Sequence, residues 1–144
     1  MNGETARRSL VAGIGGDRPH ASRVAWALLL SWLGLYLHNL RELALPLWRP
    51  ENSVLLVIGV LLAVAWWRYP SRWVGVVLVV YVALQLIGGA VVSVLPLGIF
   101  PFEPDQTLSH YAAHVVYGLL QIPLAITSWR ALTRTRNRRR PVRE

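Results

Sequence analysis

Four long apolar runs separated by short polar stretches occupy most of the 144-residue chain. Each is about 15–26 residues, around the length a helix needs to cross a hydrocarbon core of about 30 Å. They fall at about 24–45, 53–67, 73–95 and 107–132. This pattern predicts an all-α, polytopic integral membrane protein whose membrane domain (24–132) is an antiparallel four-helix transmembrane bundle. A polar amino-terminal tail (1–23) precedes it and an arginine-rich tail (133–144) follows, with no room for a separate soluble domain.

The arginines give this object a direction. Thirteen of the fifteen basic residues lie in the amino-terminal tail, the second connection (Arg68, Arg72) and the carboxyl end from Arg130 onward. Only Arg41, near the end of the first run, and Arg49, in the connection after it, lie on the other side. Short loops rich in arginine stay in the cytoplasm, so the expected location is the cell membrane, multi-pass, with both termini cytoplasmic. Trp26, Trp66, Trp67, Trp73 and Trp129 fall near the expected inner boundary and Trp48 near the outer one, where an amphipathic indole is well placed. The outer connection from Pro96 to Gln106 carries Phe100, Pro101 and Phe102, which should let it dip into the interface.

Composition removes several kinds of chemistry. With no cysteine there are no disulfides, thiolate metal sites or thiol nucleophiles, and with no lysine there is no Schiff base. A pI near 11.3 in a soluble chain would suggest nucleic acid. Here the charge is explained by topology, so the expected partners are the lipid bilayer and, at the carboxyl tail, anionic lipid headgroups; nucleic acid is not expected. Arg7-Arg8 is followed by too short an apolar stretch for an export signal. Gly13-Ile14-Gly15-Gly16 lacks the spacing and the preceding strand of a phosphate loop.

The informative residues are the polar ones inside the runs, because a polar side chain in hydrocarbon is costly and faces a protein interior or a wet site. In the fourth run His110, His114, Tyr117, Gln121 and Ser128 recur at helical spacing on one face, and Pro123 lies near the foot of the stripe. In the first run Ser31, Gly34, His38 and Glu42 form a shorter stripe ending at the same boundary. If the two stripes face one another, His38, Glu42, His110 and His114 converge, with Glu103 and Asp105 above them. Gln85 of the third run lies deeper, with Gly88 and Gly89 allowing close approach.

Two readings follow from different classes. In one, the stripes are interhelical glue: a non-enzymatic accessory or interaction subunit, engaging a membrane-protein partner or a second copy of itself, with no cofactor. In the other, His38, Glu42, His110 and His114 bind a divalent metal or relay protons in an outward-facing site. A haem held between histidines of opposing helices is compatible with the same positions. A His-x-x-x-His pair lacks the glutamate that marks zinc peptidases, and no serine–histidine–acid set supplies catalytic residues.

Four short spans in a small chain resemble the small multidrug-resistance exporters, which carry a carboxylate midway along the first span; here Glu42 stands at its end. Pro104-Asp105 through His110, His114 and Tyr117 resembles VanZ-like four-span proteins, where an acid precedes a histidine and a tyrosine. The acid here lacks the following lysine and the spacing differs, so neither resemblance carries residues or activity to this chain.

Overall fold

The computed structural model describes residues 18–98 and 103–137. They are helical, with no strand among them. Helix α1 spans Arg18–Leu43, α2 Pro50–Arg68, α3 Arg72–Ala83 and α4 Leu108–Asn137. Beyond Ala83 the third helix continues as a π-helical segment, Leu84–Val91, and a 3-10 turn, Val92–Val94. The tails at 1–17 and 138–144, and the aromatic tip of the connection at 99–102, lie outside the described residues. The expectation for Phe100 and Phe102 therefore falls outside them too.

The helix ends follow from local chemistry. Pro50 at the first turn of α2 gives up no hydrogen bond, because its missing N–H is one that a helix leaves unpaired. The Ser71 side chain accepts from the Val74 N–H at 3.3 Å and starts α3. Helix α1 stops two residues before the expected boundary. Ala44 turns to a left-handed φ of 49°, which lets the Leu45 N–H reach back to the Asn39 carbonyl at 3.1 Å. Pro123 does not break α4, which runs unbroken for 30 residues.

Neighbouring helices run antiparallel. His38 of α1 meets His114 of α4, and one heptad away on each Ser31 meets Gln121. Gln85 meets Tyr117 where α3 and α4 pack, and Gly75 lies against Leu132 at the far end of the same pair. Asn39 of α1 bonds to Asn52 at the start of α2. One end of the molecule therefore carries His38, His110, His114, Arg41, Arg49 and the acids Glu42 and Glu51. The other carries Arg23, Arg68, Arg72, Arg130 and Arg134. Helices α1 and α4 lie side by side, with α2 packed on α1 and α3 on α4.

Three helical stretches, Pro50–Arg68, Arg72–Val94 and Leu108–Thr135, are long and apolar enough to cross a membrane. Helix α1 is long enough, at 26 residues, but is more polar along its length and is not among the three. Polarity is inverted relative to a soluble domain. The fully buried side chains include Gln121, Asn52, Ser31 and Ser128, while Leu61, Leu84, Ile87, Val115 and Leu119 are each more than half exposed. Water would not tolerate so broad an apolar surface, whereas hydrocarbon solvates it as well as a protein core does. The arrangement is that of a helical membrane protein. Among the expected interfacial tryptophans, Trp66 differs. It is 6% exposed and packs with Leu28, Leu78 and Leu124 in the main apolar cluster, while Trp26, Trp67, Trp73 and Trp129 remain on the surface. Alternate faces of a helix separate the adjacent Trp66 and Trp67.

Candidate metal centre

Three imidazoles converge where α1 ends and α4 begins. The ring centroids of His38 and His114 are 4.3 Å apart, those of His110 and His114 4.7 Å, and those of His38 and His110 5.7 Å. One nitrogen from each ring lies within 4.8 Å of the other two. His110 and His114 are buried and His38 is half-buried. The i, i+4 spacing on α4 stacks the first two on one face, and the antiparallel α1 brings the third across.

The orientation of each ring is fixed from behind, and for His38 the chain of hydrogen bonds begins at two backbone carbonyls. The Asn52 Nδ2 donates to the carbonyls of Leu45 and Pro46, both at 3.0 Å. Carbonyls only accept, so the Asn52 amide has one possible orientation and its Oδ1 faces Asn39. The Asn39 Nδ2 must then donate to it, at 2.8 Å, which turns the Asn39 Oδ1 toward His38. His38 Nδ1, 3.1 Å from that oxygen, therefore carries a proton and donates it. His114 Nδ1 likewise donates to the Ala90 carbonyl at 3.2 Å, and His110 Nδ1 donates to Glu42 Oε2 at 3.3 Å.

With every Nδ1 committed as a donor, the three Nε2 atoms of the neutral rings carry bare lone pairs. Two of them face each other: His38 Nε2 and His114 Nε2 are 2.9 Å apart. The third, His110 Nε2, is buried with no hydrogen-bond partner among the described residues. A buried acceptor without a donor costs about 1–3 kcal/mol, and two opposed lone pairs add repulsion. A positive centre amid the three nitrogens removes both penalties. Nitrogens about 2.05 Å from one ion and 2.9 Å from each other subtend about 90°, and a tetrahedral site needs them about 0.4 Å farther apart.

The remaining expected site residues take different places. Glu42 does not join the three imidazoles; it stands behind His110, with Arg41 Nε 3.3 Å from its other oxygen. That oxygen, Oε1, lies near the guanidinium without the geometry of a hydrogen bond. Arg41 also bridges to α4, donating from Nη2 to the Ser109 hydroxyl at 2.9 Å. Tyr117 lies below His38, at 6.0 Å between rings, and donates to Gln85 Oε1 at 3.1 Å; Gln85 Nε2 in turn reaches the Tyr81 hydroxyl at 3.3 Å. Gln121 is deeper and pairs with Ser31 in both directions, accepting from its hydroxyl at 2.5 Å and donating to its carbonyl at 3.1 Å. Glu103 and Asp105 are exposed on the connection above.

Sequence reasoning missed Asn52, which is completely buried and sets the whole relay behind His38. In Arg49-Pro50-Glu51-Asn52-Ser53 it sits among residues typical of a solvated helix start, and only its place on one face with Gly59 and Trp66, seven residues apart, marks it as inward. The π-helical segment was equally silent. It swings the Ala90 carbonyl toward His114 and brings Gly89 against Tyr117, where a Cβ would lie 2.6 Å from the phenol oxygen.

These features define a helical membrane protein with a largely buried cluster of three histidines at one end. The chain matches no protein-family model, and no curated protein or solved structure is similar to it.

Proposed function

We propose that this is a metal-binding protein of the cell membrane, crossing it four times, which holds one first-row transition ion, with zinc fitting best, through the Nε2 atoms of His38, His110 and His114. The observation that carries the reading is the set of three Nδ1 donors. Metal-bound histidines nearly always give the other ring proton to a carboxylate, a carbonyl or an amide oxygen, and here Glu42, Ala90 and Asn39 supply one of each. Three imidazoles leave at least one coordination position for water or a small ligand. Packing alone accounts for Gln121–Ser31 and Tyr117–Gln85, whose hydrogen bonds are complete, but not for two opposed imidazole nitrogens beside a buried, unpartnered His110 Nε2. A proton shared between His38 and His114 would relieve their opposition and still leave His110 Nε2 without a partner.

The arginines support an orientation with both termini in the cytoplasm and the histidine cluster at the outer face. Helix α1 is then the fourth span. Its polar residues His38, Asn39 and Ser31 point into the assembly, which offsets its lower hydropathy.

Elemental analysis of the full chain in mild detergent tests the metal reading, alongside the His110→Ala/His114→Ala double variant. Near one equivalent of metal in the first and none in the second is the expected result. No metal in the wild-type chain, even after incubation with zinc followed by desalting, would return the cluster to a packing role.

A further inference from the structure

At the opposite end from His38, His110 and His114, the Asp, Glu and Arg side chains among the described residues are of one sign. Arg23, Arg68, Arg72, Arg130 and Arg134 gather there, while Glu42, Glu51, Glu103 and Asp105, the acids among the described residues, belong to the histidine end or its connection. Arg68 lies over the Trp67 ring, its guanidinium carbon 5.6 Å from the centroid. Arg23 of α1 and Arg130 and Arg134 of α4 instead line one small cleft of about 40 Å³, with His20 and Thr127 at its sides and Trp66 in its wall. Three guanidinium groups around one cleft repel each other unless an anion lies between them, and their planar donors suit phosphate oxygens.

A second, larger hollow opens beside the first. It has a volume of about 510 Å³ and lies between α1 and α2, lined by Ala21, Ala25, Ala63, Val64 and Trp67 with Ser22. The first two turns of α1 divide the two. Residues 20, 23 and 24 face the arginine cleft and residues 21, 22 and 25 face the apolar groove. Adjacent Trp66 and Trp67 do the same from α2. A charged cleft next to an apolar groove matches an amphiphile with a phosphate at its head.

We propose that this end of the molecule binds one anionic phospholipid, its phosphate between Arg23, Arg130 and Arg134 and an acyl chain along the Ala21–Ala25/Ala63–Trp67 groove. The site belongs to the folded helices and is separate from the arginine-rich carboxyl tail. It is also independent of the metal reading.

Native mass spectrometry of the full chain in mild detergent, titrated with phosphatidylglycerol, phosphatidylcholine or inorganic phosphate, tests this. One phosphatidylglycerol should bind in preference to phosphatidylcholine. Arg23→Gln/Arg130→Gln should weaken that binding about thirtyfold, at roughly fivefold per arginine. Arg23→Lys/Arg130→Lys, which keeps the charge, should bind more tightly than the glutamine pair, and circular dichroism should show all variants equally helical. Neutralising Arg138, Arg139 and Arg140 in the tail should leave the bound lipid in place. Equal binding of the two lipids, loss only in the tail variant, or displacement by millimolar phosphate alone would each overturn the proposal.

Discussion

His38 Nε2 and His114 Nε2 meet at 2.9 Å across the α1–α4 interface while the Nδ1 of each ring is already spent on an oxygen. Hydrogen bonding between neutral rings requires one of the two nitrogens to donate, and neither has a proton to give. A charge placed between the rings would resolve the contact, and under the proposed reading a metal ion would also serve His110.

Glu42 offers the sharpest test of this arrangement, because it touches His110 and stands apart from the proposed ion. Glu42→Gln keeps the shape and removes the carboxylate that polarises the His110 ring. Metal affinity should fall about 10–100-fold, the usual effect of losing such a partner, with stoichiometry at saturation unchanged. Competition against a chelator of known affinity measures it. Unaltered affinity would remove Glu42 from the site.

Asn52→Leu should show how far back the support extends. The change strips a donor from the Leu45 and Pro46 carbonyls and leaves the Asn39 amide unpaired. A stability loss of about 1–3 kcal/mol is expected on thermal unfolding in detergent. Weaker metal binding should accompany it, since His38 Nδ1 would no longer face a fixed acceptor. Normal metal affinity in a destabilised protein would mean that Asn52 serves packing alone.

Acidification should release the ion. Each ligand must be a neutral imidazole with a free Nε2, so protons compete directly with metal at every ring. Retention should be complete at neutral pH and fall as pH drops, and the decline should be steeper than a single protonation allows because three ligands titrate together. Residual metal measured after gel filtration at a series of pH values would show this. Retention unchanged from pH 7 to pH 4 would place the ion somewhere other than the histidines.

Much of this was legible in the sequence, for reasons that differ between residues. The histidine stripe could be read because helical periodicity fixes which side chains share a face, and the arginine count fixed which stripes share an end. Glu42 was legible as a neighbour of the histidines but not as the residue behind one of them, because spacing along α1 says nothing about side-chain depth. The burial of Asn52 and of Trp66 went unread for opposite reasons. The first is polar and buried, the second an indole near a boundary and buried, and only the packing of α2 on its neighbours decides either. The π-helical segment has no composition of its own, since Leu84–Val91 reads as ordinary apolar helix with two glycines.

Those two glycines make a matched pair. A Cβ on Gly88 meets nothing within 4 Å, whereas one on Gly89 would lie 2.6 Å from the Tyr117 oxygen. Gly88→Ala should be neutral or slightly stabilising, by up to about 1 kcal/mol, as alanine favours helix. Gly89→Ala should destabilise by about 1–3 kcal/mol by forcing Tyr117 off Gln85. Thermal unfolding of both variants checks the contrast, and equal behaviour would mean that the Gly89–Tyr117 approach is not maintained in the membrane.

Topology decides whether α1 crosses the bilayer, and the absence of cysteine makes single-cysteine labelling free of background. Four spans with cytoplasmic termini place Asp105→Cys outside and both Tyr69→Cys and Asn2→Cys inside. A membrane-impermeant maleimide applied to intact cells should label only the first, and the other two should react after permeabilisation. If α1 instead lies along the surface beside the start of α2, Asn2→Cys would label together with Asp105→Cys while Tyr69→Cys stays protected. That outcome would leave three spans and expose His38 to a different environment from His110 and His114. Joint protection of positions 2 and 69 is what a histidine site enclosed between two membrane-crossing helices requires.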